Sequence, residues 1–182
     1  MNTLERLVAR SAALHRQFLE MMGLAEEPFG PQPPATELDL ARLARAVDRK
    51  LPPSYRAFLE VCNGWKKWSG MQDLLSTDQL LSGSYRAAAD RFVASERAHG
   101  HAQFQDCLVI GISDLDWNCG VYLIDFRSPS RGGEHDIVRW DLGEIGRWPD
   151  MTALLEEQAE SLEEMLADPE GGGWAKTDPT GS

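Results

Sequence analysis

Asp114, Asp116 and Asn118 alternate along the chain as the oxygen ligands at the start of a calcium loop do. Such a loop also needs a glycine at its sharp turn and a glutamate to close it. Here Gly120 stands one residue late and no glutamate closes the loop. The three side chains are therefore read as the surface of a solvated hairpin loop, suited to meet lysine or arginine on a partner. His99 and His101 could clasp a metal as an extended His-x-His, but nothing in the sequence identifies the third ligand that a site needs. His15 and His135 have no neighbouring ligand pattern. Cys62, Cys107 and Cys119 are odd in number and widely spaced, which suits reduced core thiols rather than disulfides or a zinc knuckle. Cys119, beside Gly120, would be the candidate nucleophile, yet no activating histidine motif adjoins it. With 29 carboxylates in the chain, no single acidic pair is informative. The sequence also lacks a nucleophile elbow, a phosphate-cradling loop and a dinucleotide fingerprint. The chemistry expected is binding, with no catalytic centre, cofactor or metal.

Charge and aromatic placement point the same way. The net charge is −11, and residues 141 to 182 hold 11 acidic and 2 basic side chains, so the rest of the chain is nearly balanced. No basic stripe extends beyond Lys66-Lys67, which disfavours nucleic acid and favours a basic protein partner. Trp65, Trp68, Trp117, Trp140, Trp148 and Trp174 mostly fall in turns or at element ends. There a rigid indole can anchor an interface, although Trp140 and Trp148 are also placed to pack under the last helix. The partner-binding residues expected are Asp114, Asp116, Trp117 and Asn118 in one loop, with Asp141, Glu144, Trp148 and Asp150 in the segment after the third strand.

The elements that must position these residues follow from periodicity. Leu4, Leu7, Val8, Leu14, Phe18 and Met21 predict a first helix over residues 1–24. The proline-rich segment 25–35 cannot continue it and is expected to act as a linker. Thr36 and Asp39 form a capping box for a second helix to about Lys50. In Leu51-Pro52-Pro53-Ser54-Tyr55-Arg56-Ala57-Phe58-Leu59-Glu60-Val61-Cys62-Asn63-Gly64, prolines open a third helix. Tyr55, Phe58, Leu59 and Cys62 make its apolar face, and Asn63-Gly64 stops it. A helical stretch from Thr77 to Ala98 has a weak point at Ser82-Gly83-Ser84. Strands are expected near 71–75, 108–112, 121–125 and 137–140, joined as an antiparallel meander. A closing helix from Met151 to Leu166 has leucines on one side and glutamates on the other, and residues 169–182 are expected to be a disordered tail. No apolar run of about 18 residues exists, which predicts a soluble, cytoplasmic protein with no membrane partner.

Leu51, Pro52, Tyr55, Phe58, Leu59, Asn63 and Gly64 resemble the signature of the SUKH superfamily. The resemblance extends over residues 36–168, with the flanking helices and strands in matching order. It implies an α+β domain with an antiparallel or mixed sheet of about four to six strands flanked by helices, here preceded by an extra N-terminal helix. Many bacterial members resemble immunity proteins. The resemblance thus implies binding and neutralisation of a cognate secreted toxin, for instance a basic nuclease. The alternative is an intracellular regulatory or scaffold protein of the same fold.

Overall fold

A computed structural model describes residues 3–24, 29–69, 72–112, 120–128 and 132–168. In chain order the elements are α1 (Thr3–Met21), β1 (Gly30–Pro31), α2 (Glu37–Ala46), α3 (Pro53–Val61), β2 (Trp65–Ser69), β3 (Gln72–Leu74), α4 (Thr77–Leu81) and α5 (Gly83–Ala98). A short 3-10 turn at Ala102–Phe104 leads to β4 (Cys107–Ile112), β5 (Val121–Asp125), β6 (Ile137–Trp140), β7 (Glu144–Trp148) and α6 (Met151–Ala167). The strands form one antiparallel sheet in sequence order, an open meander. This is the expected α+β class. The four predicted strands are β3 to β6, and β1, β2 and β7 extend the sheet to seven.

Local sequence explains where the elements begin and end. Thr36 and Asp39 make the capping box of α2, and Ser76 and Gln79 make a second one for α4. The weak point in the long helical stretch is a true break, since Gly83 has φ +84° and opens α5 after α4 has ended. α2 stops earlier than its apolar stripe suggests, with Asp48 in a left-handed conformation at φ 53°. β2 was masked in the sequence by its paired lysines, and β7 by a central glycine between charged residues; both features weaken strand alternation.

Both faces of the sheet centre are covered, because every residue of β5 is buried. Cross-strand partners share a face. Tyr122, Ile124, Ile137 and Trp148 therefore lie on one side, where the Trp148 indole reaches Glu157 of α6. Val121, Leu123, Val138 and Trp140 lie on the other, where Trp140 meets Phe104 at 5.3 Å. α1 packs on α6, α3 and β1 and places Leu4, Leu7 and Val8 in the common core. From Phe29 onward the proline-rich segment is tied to the body of the fold. Pro31 pairs with Trp65, Gln32 N–H donates to the Gly64 carbonyl at 2.9 Å, and Ala35 N–H donates to the Leu59 carbonyl at 2.9 Å. Among the described residues no helix is long and apolar enough to cross a membrane.

Candidate functional site

The residues of the Leu51–Gly64 motif are engaged inside the fold. Tyr55, Phe58 and Leu59 are buried on the inner face of α3. Ser54 donates from its backbone N–H and its hydroxyl to the two carboxylate oxygens of Glu134, both at 2.8 Å, and its hydroxyl accepts from Met151 N–H at 3.1 Å. A loop carboxylate thus caps the N-terminus of α3, and the same serine joins α3 to the start of α6. At the other end Asn63 accepts from Thr77 N–H at 2.8 Å and donates to the Thr77 hydroxyl at 3.1 Å, fastening α3 to α4. Gly64 has φ +93°, and a Cβ there would sit 2.7 Å from Ser76 N, so only glycine fits. These residues fasten α3 to its neighbours and so define the fold.

The antiparallel register decides which of the expected partner-binding residues come together. The turn after β2, the loop after β4 and the turn after β6 all emerge at one end of the sheet. Asp114, Asp116, Trp117 and Asn118 lie outside the described residues, as does Cys119. Their loop is nonetheless rooted by the pairing of Ile112 with Val121, which pairs in turn with Trp140. Gly120, the loop's last residue, abuts Asp141: an added Cβ would lie 2.9 Å from the Asp141 Cβ. Asp141 and Glu144 therefore share this end with the loop.

Trp148 and Asp150 do not. β7 runs away from the turn, so Trp148 lies four residues, about 13 Å, farther along the strand. It is buried, with its indole N–H donating to Glu157 at 2.7 Å, and Asp150 accepts from Ala153 N–H at 2.9 Å as the N-cap of α6. Placing these two beside the loop overlooked the reversal of the chain after Gly143. The expectation of tryptophan anchors also changes, because all four described tryptophans, Trp65, Trp68, Trp140 and Trp148, are buried. Each sits in a strand.

Two residues missed from sequence stand out at the same sheet end. Leu142 is 101% exposed and Ile145 is 55% exposed, two of the four exposed large hydrophobics among the described residues. Asp141-Leu142-Gly143 is the turn between β6 and β7, and a leucine between two turn-forming residues was the available signal. Glu144 beside them is held below the usual carboxylate range by its hydrogen bonds to Arg147, at 2.8 and 2.7 Å.

The model of the SMI1/KNR4 family (SUKH-1) matches residues 34–168, well over half of the chain. The chain belongs to this family. No curated protein matches the sequence. The matched region of this SUKH-1 protein begins after α1, which nevertheless shares its core.

Other groups of this SUKH-1 domain are already engaged. His99 and His101 stand 6.2 Å apart between ring centres, and His101 Nδ1 lies 3.3 Å from the Glu96 oxygen that accepts from the Trp140 indole at 3.0 Å. Among the described residues no group of three or more His, Cys, Asp or Glu side chains is placed to hold a metal. Burial pushes the Cys62 thiol up to about 12 and the Cys107 thiol up to about 11, which keeps both protonated and poorly nucleophilic at neutral pH. A cleft of about 340 Å³ lies between α4, α5 and β4. Its Arg97 donates to the Phe104 and Gln105 carbonyls, and its Arg86 to Asp90 and the Leu80 carbonyl. Of these bonds, the one from Arg86 to the Leu80 carbonyl joins α5 to α4 across the cleft wall.

Proposed function

We propose that this protein is an immunity protein that binds and neutralises a cognate secreted bacterial toxin by covering a basic face of it. It acts by protein binding in the cytoplasm, has no catalytic centre or cofactor, and does not engage nucleic acid or membrane. The observation that carries this reading is the register at one end of the sheet. It sets the root of the Asp114–Asn118 loop against Asp141, next to Glu144 and the exposed Leu142 and Ile145. Acidic groups around exposed apolar side chains make a surface that steers a basic partner in and then excludes water. Membership in SUKH-1 is consistent with this type of activity.

The test takes as probe any secreted toxin domain found encoded beside the gene, produced as an inactive variant. Asp114→Lys combined with Asp116→Lys is expected to slow association about tenfold or more at low salt and to flatten its salt dependence. Trp117→Ala is expected mainly to speed dissociation. Cells carrying these variants should lose protection from the active toxin in the same order. A wild-type chain that neither binds nor protects would reject the toxin reading and favour the regulatory adaptor. Wild-type binding that these three changes leave intact would move the interface elsewhere on the molecule.

A further inference from the structure

Leu142 is doubly out of place in the free molecule. Its φ of 52° puts it in the left-handed region, where a leucine is strained and asparagine or glycine is at ease. It is also 101% exposed, so its side chain gains nothing from burial. The turn itself is well formed without the side chain, since Asp141 N–H donates to the Gly143 carbonyl at 2.8 Å and Trp140 pairs with Glu144 across it. Neither turn geometry nor core packing therefore accounts for the leucine. Ile145, three residues on in the edge strand, is 55% exposed.

We propose that Leu142 is the apolar anchor of the interface, inserting into a hydrophobic pocket on the partner whose rim carries lysine or arginine. The proposal rests on the toxin-binding reading and adds to it the residue that holds the complex together. Charge complementarity selects this partner chemistry, because the anchor adjoins Asp141, and Glu144, which shares its charge with Arg147, lies two residues on. Burying an exposed leucine in a pocket corresponds to about a ten- to hundredfold gain in affinity, expressed mostly in the dissociation rate.

The decisive variant is Leu142→Asn, with Leu38→Asn as control, since Leu38 is also exposed (59%) but lies on α2. The probe is the same inactive toxin domain, if the gene's neighbours encode one, and binding is followed by biolayer interferometry, with thermal unfolding of each free variant measured in parallel. Leu142→Asn is expected to weaken binding at least tenfold through faster dissociation while leaving the free protein as stable or a few degrees more stable. Leu38→Asn should leave binding unchanged. Two results would sink the anchor and leave the toxin reading standing: wild-type affinity in Leu142→Asn, or an equal loss in Leu38→Asn. A melting temperature lowered by several degrees in Leu142→Asn would also overturn it, since the leucine would then act inside the free protein. Absence of binding by the wild-type chain would remove the toxin reading and this proposal with it.

Discussion

His15 shows how one side chain can couple this fold to pH. It lies on the buried face of α1 with its ring 5.6 Å from Phe29 and stacked on Trp65 at 6.3 Å. Burial lowers its pKa from the ordinary 6.5, because an imidazolium between aromatic rings loses its hydration. The unfolded chain takes up this proton near 6.5 and the folded chain resists it, so the unfolded state binds more protons below that pH. The stability associated with His15 is therefore complete above pH 6.5 and is lost progressively as the pH falls toward the lowered value. Thermal unfolding at about pH 7.5 and about pH 5.5, a window above most carboxylate titrations, should show a lower midpoint in acid. His15→Leu should flatten that difference, and an unchanged slope in the variant would locate the proton uptake elsewhere. Phe58 carries a simpler expectation. It is 1% exposed, and Phe58→Ala should lower unfolding stability in urea by about 3–5 kcal/mol.

At the scale of elements, the sequence was legible wherever local chemistry and tertiary burial agree. Prolines before Tyr55, an apolar face through Leu59 and the Asn63-Gly64 stop specify α3 by themselves, and β4 to β6 are continuous apolar, β-branched runs because both sheet faces are covered. β2 and β7 were illegible because their strand character comes from pairing with neighbours. Lys66 satisfies its charge on Asp73 at 2.6 Å, and Arg147 binds Glu144 and Asp136, both at 2.7 Å, so charged residues sit in strands without disrupting them. The candidate site was half legible. Asp141 and Glu144 are where the meander predicts, whereas Trp148 and Asp150 were assigned by nearness in sequence, which a strand five residues long defeats. The contact between α3 and the β5–β6 loop lies beyond any local pattern, since Ser54 and Glu134 are 80 residues apart. Glu134→Ala should uncap α3 and cost about 1–2 kcal/mol in chemical denaturation. Ser54→Ala added to it should cost less than the sum of the two single changes, because both remove the bond from the Ser54 hydroxyl to Glu134. Strict additivity would show that the hydroxyl–carboxylate bond contributes nothing.

At the scale of the whole molecule, the family boundary and the core boundary do not coincide. The SUKH-1 match starts at residue 34, yet Leu4, Leu7, Val8 and Leu19 of α1 are each less than a tenth exposed, and the first three belong to the core shared with α3 and the sheet. Fully burying an aliphatic side chain of this size contributes about 1.5–3 kcal/mol, so a few of them are comparable with the net stability of about 5–15 kcal/mol typical of a domain. The outer contact is electrostatic. Arg10 donates to both oxygens of Glu163 at 3.0 and 2.7 Å, which raises its pKa, while Glu160 and Glu156 add attraction along α6. That pair is exposed and screened by solvent, so it sets the orientation of α1 more than its affinity. α1 therefore acts as a structural part of this protein. A chain beginning at residue 29, with β1 retained, is expected to melt more than about 10 °C below the full chain or to aggregate, because it uncovers an apolar flank of α3 and α6. A synthetic peptide of residues 1–24 supplied in excess should recover much of the loss, more so than one carrying Leu7→Asp and Val8→Asp. Circular dichroism melts of the truncated chain with and without each peptide make the comparison. A truncated chain that melts with the full-length protein would show α1 to be an appendage whose burial adds nothing to the fold.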